Sequence, residues 1–384
     1  MAIEKTNKKR LPSGYKERAD GRIEARFMIA GKRYSAYGMT VKECREKELD
    51  MRKQIEAGMY LDNRNITLDA YYEEWRERRV GTVKKSTEYR QNDRYKTISK
   101  ALGKRKIVMI EPREIAAFQK KLAETRTTAG VNQVIALLRG ILESARVDRI
   151  IAWNPCDGIK NLQRTETAAS ETIHRALTQQ ETDIFFKYAD ASWYSEYFAL
   201  LIQTGLRTGE ASALTWKDVD YTNNLIHVTK TIMRTGDNMF EVGPPKTKSS
   251  KRSIPMTEAA KEILKRQRSK SELLHKGKVV AIDSRIFTST DGHGYVLTHN
   301  VSTVIKTIIK KANEKGEHLD VFSTHAFRAT FATRAIEAGI SPQTLKTILG
   351  HSSYKMTMDL YAHVMDTVKQ SEIKKLDVAL NIAN

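Results

Sequence analysis

Residues 323–339 read STHAFRATFATRAIEAG, a stretch that predicts one helix with two distinct faces. His325 and Arg328 are three residues apart, so their side chains lie on the same face of that helix. Apolar side chains gather on another face, and these are Phe327, Phe331 and Ala338. The stretch therefore predicts a packed helix that presents a histidine and an arginine together.

The sequence SPQTLKTILGH, one residue further on, has the residues that begin and end a short helix. Ser341 is a typical N-cap, Pro342 suits the first helical position, and Gly350 suits the exit. His351 follows that glycine directly, and Tyr361 lies ten residues later within MTMDLYAHV. A second histidine and a tyrosine thus follow the first pair closely along the chain.

Two segments upstream add further charged groups. In TGLRTGEASALTWKDVD, Arg207 comes just after Gly205, and Glu210 lies three residues beyond the arginine. The basic sequence PPKTKSSKRSIP predicts a hairpin, in which Lys246 follows two prolines. These segments supply one more arginine, a carboxylate and a lysine as candidate site residues.

Together these side chains are the groups that displacement at a phosphodiester requires. Taken singly, each has an ordinary structural interpretation. A histidine on a helix is commonly a structural residue with its hydrogen bonds satisfied, an arginine can be one partner of a salt bridge, and a tyrosine can be part of the core. The combination is harder to explain in that way, because arginines neutralise non-bridging oxygens, histidines donate or shuttle protons, and a tyrosine hydroxyl can act as a covalent nucleophile. The candidate catalytic residues are Arg207, Lys246, His325, Arg328, His351 and Tyr361, with no metal ligands required.

The composition narrows the class of protein. Lys and Arg number 66 against 46 Asp and Glu, which gives a formal charge of +20 and a pI near 9.7. This surplus indicates a polyanionic partner, either nucleic acid or an anionic membrane surface, although charge alone also fits a merely soluble basic protein. No apolar run is long enough to span a bilayer, and no secretory signal is present. Cys44 and Cys156 are far apart in the sequence, which argues against a disulfide framework or a thiolate zinc site. We therefore expect a reduced, cytoplasmic protein without a membrane partner.

The chain is predicted to be multidomain. Residues 1–64 contain three short segments separated by turn signals and then a helical segment ending at Gly58, which predicts a small three-stranded sheet plus a helix. The first 33 residues carry ten basic against four acidic side chains. The charged sheet face fits a DNA major groove, and it fits a plain solvated face equally well.

The remainder divides at a polar linker, RTETAASETIH. Before it, residues 65–165 show apolar residues at helical spacing in four segments, which predicts a four-helix bundle. After it, residues 166–384 predict a mostly α domain with one small antiparallel sheet, in which LIHVTKTIMRTG pairs with SIPM. The tail, residues 366–384, has apolar residues that fit packing in cis or docking onto a neighbouring subunit.

The motifs resemble the tyrosine recombinase family, the lambda-type integrases, and within it the integrases of Gram-positive conjugative transposons. TGLRTGE with LTW, KTKSSKRSIP, HAFRATFATR, and LGHSS with a tyrosine ten residues after its histidine all stand in family order. In HAFRAT the chain lacks the second histidine that the family often has directly after the arginine. The N-terminal part resembles an arm-binding module, and the helical part resembles a SAM-like core-binding module.

The resemblance implies a mechanism for the candidate residues. Tyr361 would attack the scissile phosphate, form a 3′-phosphotyrosyl link and release a 5′-hydroxyl, without ATP or any cofactor. The transition state would be stabilised by charge-assisted hydrogen bonds from Arg207, Arg328 and His351. His325 would be the general base or proton shuttle, Lys246 the general acid, and Glu210 a support that orients Arg207.

The implied partner is double-stranded DNA with core and arm sites, bound by a tetramer, together with an excisionase or a host DNA-bending protein. Two alternatives are a type IB-like topoisomerase and a sequence-specific DNA-binding protein without chemistry. The complete set of candidate residues argues against the second alternative. The basic N-terminal module and the helical clamp favour recombination over relaxation alone.

Overall fold

The chain divides into two compact units, residues 1–165 and 166–384. The structure is a computed structural model that describes residues 11–29, 31–56, 65–163, 175–245, 247–274, 280–290, 294–362 and 364. The predicted linker at 164–174, Gly58, Lys246 and the tail at 366–384 lie outside these residues.

The first unit begins with a three-stranded antiparallel sheet in the order β1 (Tyr15–Glu17), β2 (Ile23–Ile29) and β3 (Lys32–Gly38). Helix α1 (Val41–Glu56) packs on β2 and β3. Alternation along β2 and β3 sends one set of side chains toward the helix. The buried residues between helix and sheet are Ala25, Phe27, Ala36 and Cys44. The predicted sheet plus helix is confirmed.

Four helices follow in the same unit: α2 (Leu68–Glu77), α3 (Lys85–Ile98), α4 (Pro112–Ala123) and α5 (Thr128–Val147). The Thr67 hydroxyl caps α2 by accepting from the Ala70 N–H at 3.2 Å, and Pro112 occupies the first turn of α4. Helix α5 is the most apolar of the four and packs against the other three. The predicted four-helix bundle is confirmed.

The second unit is mostly helical. Its helices are α6 (Gln179–Ala189), α7 (Ser195–Thr204), α8 (Thr208–Ala213), α9 (Glu258–Leu274), α10 (Thr298–Glu314), α11 (His325–Glu337), α12 (Pro342–Leu349) and α13 (354–362). Aromatic rings form the centre of its core. The ring centroids of Phe185, Phe198 and Phe322 lie between 5.4 and 5.6 Å from that of Phe327. Burial of Phe327 anchors α11, and Phe331 is half-buried. Ala338, the third residue of the predicted apolar face, is exposed, because the helix ends at Glu337 and Ala338 is its C-cap.

The strands in the described part of this unit form two small sheets where one was expected. β4 (Val219–Asp220), β5 (Leu225–Val228) and β8 (Arg252–Pro255) make one antiparallel sheet, and β6 (Thr231–Gly236) pairs with β7 (Met239–Gly243) in a separate hairpin. The segment LIHVTKTIMRTG therefore divides between the sheets. Its second half, β6, pairs instead with β7, which is closer in sequence than β8. The tight turn between β6 and β7 contains Asn238, which has a left-handed φ of +56°.

The SIPM segment pairs with β5 as predicted, with Ile226 opposite Ile254. In the described part of the chain, no helix is both long and apolar enough to span a lipid bilayer.

Candidate active site

The site begins where α7 ends at Gly205. This residue has φ +62°, and a Cβ atom there would lie 2.5 Å from the Phe331 ring and 2.9 Å from Leu349. Only glycine fits both the left-handed conformation and the close approach. The chain therefore turns directly from α7 into α8 and places Arg207 at the N-cap of α8.

Glu210 fixes the orientation of Arg207 in two ways. One carboxylate oxygen accepts from the Arg207 backbone N–H at 3.0 Å, and the other accepts from its guanidinium at 2.8 Å. The carboxylate also lies in the first turn of α8, where negative charge is favoured. The i, i+3 spacing in the sequence thus produces the predicted supporting contact.

A second left-handed glycine, Gly350, ends α12 with φ +66°. A Cβ atom there would lie 2.9 Å from the Ser249 carbonyl, so this glycine also permits a close approach. The last carbonyls of a helix lack partners within the helix and carry partial negative charge. Three successive carbonyls here each accept from one arginine: Arg252 to Ile348 at 2.5 Å, Arg328 to Leu349 at 2.6 Å, and Arg207 to Gly350 at 3.4 Å.

Arg328 connects both glycine turns. Arg328 is 9% exposed. One terminal nitrogen of its guanidinium donates to the Leu349 carbonyl, and the other donates to the Gly205 carbonyl at 2.6 Å. Burial, assisted by repulsion from Arg207 and Arg252, lowers the pKa of Arg328 to about 9. The guanidinium therefore stays charged at neutral pH, in an environment with little water to screen it.

Arg252 is a third arginine that the sequence analysis did not single out. Its side chain is 3% exposed and forms a bidentate pair with Glu210 at 3.1 and 3.0 Å. The signal was present in the alternation of β8, where Arg252 and Ile254 share the inward face. A charged residue at an inward strand position indicates a buried, paired charge.

His351 is buried beside the arginines, with 8% of its surface exposed. Burial and the nearby charges of Arg328, Arg207 and Arg252 lower the pKa of His351 to about 4. The ring is therefore neutral at physiological pH, and its Nδ1 lies 2.9 Å from the Thr357 hydroxyl. When that hydroxyl donates to Nδ1, the Nε2–H is left as a donor.

This low pKa makes stability depend on pH. The unfolded imidazole, with a pKa near 6.5, binds a proton that the folded one does not, so acidification from pH 6.5 to 4 favours unfolding by up to about 3 kcal/mol. We expect His351→Gln to remove most of this slope in urea titrations across the range. His318→Gln is the matched control, because the His318 side chain is 96% exposed. Equal slopes in the parent and His351→Gln would contradict the assignment.

Two other predicted residues are His325 and Lys246. His325 is the first residue of α11, on the same helix as Arg328, and is exposed. Lys246 is outside the described residues. Within the described ranges, no three His, Cys, Asp or Glu side chains group as a metal site would need.

Tyr361 lies on α13, packed among apolar side chains of α11 and α12, and is 8% exposed. Its hydroxyl donates to the backbone carbonyl of Ile340. Ile340 lies three residues beyond the C-terminal end of α11, whereas Arg328 is the fourth residue of that helix. Burial, with a smaller effect of Tyr354, raises the pKa of Tyr361.

The structure thus brings together four of the predicted residues: Arg207, Glu210, Arg328 and His351. Three guanidinium charges against one carboxylate leave a net charge of +2 beside a neutral imidazole. Arg207 is the most accessible of the three arginines, with 35% of its side chain exposed. The cluster is chemically suited to bind and activate a singly charged phosphodiester.

Comparisons with known proteins agree with this chemistry. Residues 173–367 match the Phage integrase family, and residues 67–123 match the phage integrase N-terminal SAM-like domain. The transposase from transposon Tn916 of Enterococcus faecalis is 26% identical, over 96% of this chain and 95% of that protein. The ICEBs1 integrase of Bacillus subtilis is 29% identical, over 88% of this chain and 90% of that protein.

Solved structures share the fold. The Tn1549 transposon integrase in complex with circular intermediate DNA has a TM-score of 0.64 and 24% identity, covering 80% of this chain and 99% of that one. A lambda integrase tetramer bound to a Holliday junction has a TM-score of 0.56 and 19% identity, covering 89% and 96%. The family match extends over more than half of the chain. With its arginine cluster and downstream tyrosine, this chain belongs to the phage integrase family of tyrosine site-specific recombinases.

Proposed function

We propose that this chain integrates and excises a conjugative mobile element, by cutting and rejoining double-stranded DNA through a 3′-phosphotyrosyl intermediate at Tyr361. The names of its relatives support the kind of element, because the Tn916 transposase and the ICEBs1 integrase align with most of the chain. The formal charge of +20 supports a nucleic-acid partner.

One observation carries the proposal: three arginines converge on the last carbonyls of α12. A phosphodiester has one negative charge, and its pentacovalent transition state has more. Arg207 and Arg328 supply charge to the non-bridging oxygens, and the neutral His351 donates a hydrogen bond. Such preorganised donors stabilise the transition state, and the loss of one typically costs on the order of 3 kcal/mol.

In the proposed cleavage step, the Tyr361 oxygen forms a bond to phosphorus and the bond to the 5′-oxygen breaks. The tyrosine proton goes to His325 as general base or proton shuttle, and Lys246 gives a proton to the departing 5′-oxygen. In the rejoining step a 5′-hydroxyl attacks the phosphotyrosine and releases Tyr361. One phosphodiester is exchanged for another, so no nucleotide or cofactor is consumed.

Tyr361 would first have to leave the Ile340 carbonyl and its apolar pocket. Its hydroxyl must also lose a proton, and its raised pKa disfavours this in the described conformation. The tyrosine is therefore unreactive until α13 or the loop at Ile340 shifts. DNA binding is the event that we propose to cause that shift.

We further propose three functional parts: 1–64 for arm sites, 65–165 for core sites, and 166–384 for catalysis. The N-terminal sheet supports the first assignment, because guanidinium groups on β2 and on the connection between β1 and β2 are accessible. Arg18, Arg22 and Arg26 have side chains that are 45%, 53% and 58% exposed. A sheet with such side chains can enter a major groove.

A truncated protein tests the division. Without residues 1–64, the protein should still bind and cleave core sites but should lose affinity for a second, distal class of sites. The affinity of the full chain for those distal sites should fall steeply with salt, because each neutralised phosphate releases counterions. Gel-shift titrations on core and distal duplexes measure both effects. If the truncated protein recombines complete sites as well as the parent, the arm-binding role is wrong.

Recombination of two duplexes requires four strand cleavages, so we propose a tetramer on DNA. The lambda integrase tetramer on a Holliday junction supports this assembly, since the fold is shared. An excisionase or a host DNA-bending protein is the proposed source of directionality.

The deciding experiment uses a core-site duplex with a nick next to the scissile phosphate, so that the short 5′-hydroxyl fragment diffuses away and the adduct accumulates. A covalent protein–DNA band that survives denaturation is expected. Absence of the band would favour a DNA-binding protein without chemistry. A band without strand exchange between two duplexes would favour a type IB-like topoisomerase.

A further inference from the structure

We propose that Arg252 is a positioning residue, which holds Glu210 and the end of α12 so that Arg207 is presented to the scissile phosphate. The inference rests on the proposed function, because it assigns Arg252 a role in aligning that catalytic set. Arg252 itself is too enclosed to contact DNA, since its side chain is only 3% exposed.

Among the described residues, four of the five guanidinium N–H groups of Arg252 have a hydrogen-bond acceptor. Both terminal nitrogens donate to Glu210, at 3.1 and 3.0 Å. The Nε–H donates to the Ile348 carbonyl, and one terminal nitrogen also donates to Ser250 at 3.1 Å. The side chain therefore joins three separate segments: the start of α8, the end of α12 and the loop before β8.

Each of these segments carries a proposed catalytic residue. Glu210 lies three residues after Arg207, Ile348 lies three residues before His351, and Arg252 lies six residues after Lys246. Because the guanidinium is planar and its donors have fixed directions, it sets distances and angles among the segments. A lysine at this position has one ammonium on a flexible chain and cannot reproduce that fork.

Glu210 divides its two oxygens between two arginines. One oxygen accepts from the guanidinium of Arg207 at 2.8 Å and from that of Arg252 at 3.1 Å. The other accepts from the Arg207 backbone at 3.0 Å and from Arg252 at 3.0 Å. Without the Arg252 fork, Glu210 would lose two of its donors, so the plane of the carboxylate, and with it the direction of the Arg207 guanidinium, would be less fixed.

This shared orientation is the physical core of the inference. Arg252 holds the Glu210 carboxylate in the plane that directs the Arg207 guanidinium. Arg207 is then presented to a phosphate oxygen in a fixed direction. Loss of Arg252 should therefore reduce the same interaction that loss of Arg207 removes, namely charge neutralisation at a non-bridging oxygen.

The test compares an ordinary scissile phosphodiester with a methylphosphonate at the same position, in the trapping assay described above. The methylphosphonate replaces one non-bridging oxygen by a methyl group and has no negative charge to neutralise. Arg207→Ala should slow adduct formation strongly on the phosphodiester and much less on the methylphosphonate. Arg252→Lys should show the same substrate-selective defect, at least tenfold on the phosphodiester and within threefold of the parent on the methylphosphonate.

Arg266→Lys is the matched control, because Arg266 forms a bidentate pair with Glu196 at 2.9 Å on the same unit, outside the site. It should be equal to the parent on both substrates. Glu210→Gln keeps the size of the side chain but replaces one accepting oxygen by an NH2 group, which cannot accept from an arginine. It should therefore show the selective defect even if Arg252→Lys fails to fold. Two results support the inference: the selective defect in either variant, and no further loss when Arg252→Lys is added to Arg207→Ala.

Suppose that Arg207→Ala is selective, but that Arg252→Lys and Glu210→Gln are each slowed equally on both substrates. That result would mean a purely structural role for Arg252, and it would overturn this inference while leaving the proposed function intact. Parental rates for both variants would also overturn it. If Arg207→Ala is itself not selective, the proposed role of Arg207 fails and the positioning role of Arg252 fails with it.

Discussion

Tyr361→Phe should abolish the covalent protein–DNA adduct while core-site binding stays within a few-fold of the parent. The hydroxyl oxygen is the proposed nucleophile, and phenylalanine has no atom that can replace it. The ring itself packs among the apolar side chains of α11 and α12, and that packing survives the substitution. Removing the hydrogen bond to the Ile340 carbonyl should cost about 1 kcal/mol of stability, too little to unfold the protein.

The same helix offers a control. Tyr354 is 45% exposed on α13, and Tyr354→Phe should form the adduct at the parental rate. Trapping on the nicked duplex, together with gel-shift binding and a thermal melt, separates chemistry from binding and folding. If the adduct persists in Tyr361→Phe and disappears in Tyr354→Phe, the nucleophile has been assigned to the wrong tyrosine.

Lys246→Ala should slow cleavage by about a hundredfold or more, as loss of a general acid typically does. A general acid is needed because an alkoxide is a poor leaving group. When sulfur replaces the bridging 5′-oxygen, the leaving group is a thiolate that departs without a proton. The Lys246→Ala defect should therefore be largely rescued on the sulfur-bridged substrate.

Neighbouring variants make this test specific. Arg207→Ala and Arg328→Ala should not be rescued by sulfur, because these side chains act on non-bridging oxygens. Lys248→Ala and Lys251→Ala check the choice of lysine within KTKSSK. An equal Lys246→Ala defect on both substrates would show that this lysine only binds DNA, and the general acid would then be another group.

Much of the fold followed from local patterns. The sheet plus helix, the four-helix bundle and the glycine exit of α12 are each set by residues close in sequence: turn signals, apolar spacing and caps. The division of LIHVTKTIMRTG between two sheets did not follow, because strand pairing depends on which partner the folded chain brings near. The functional roles of all the candidate site residues stay predictions, and these are Arg207, Glu210, Lys246, His325, Arg328, His351 and Tyr361.

The sequence by itself determined the family, through motifs in a fixed order, and the pair of Arg207 with Glu210, which one helical turn brings into contact. Only the tertiary structure decided the rest of the site. Arg252 meets Glu210 across 42 residues and Ile348 across 96, and Arg328 meets Gly205 across 123. These charges are buried only once the packed core excludes water. The spacing of residues along the chain does not indicate which distant carbonyl groups will accept hydrogen bonds from each guanidinium.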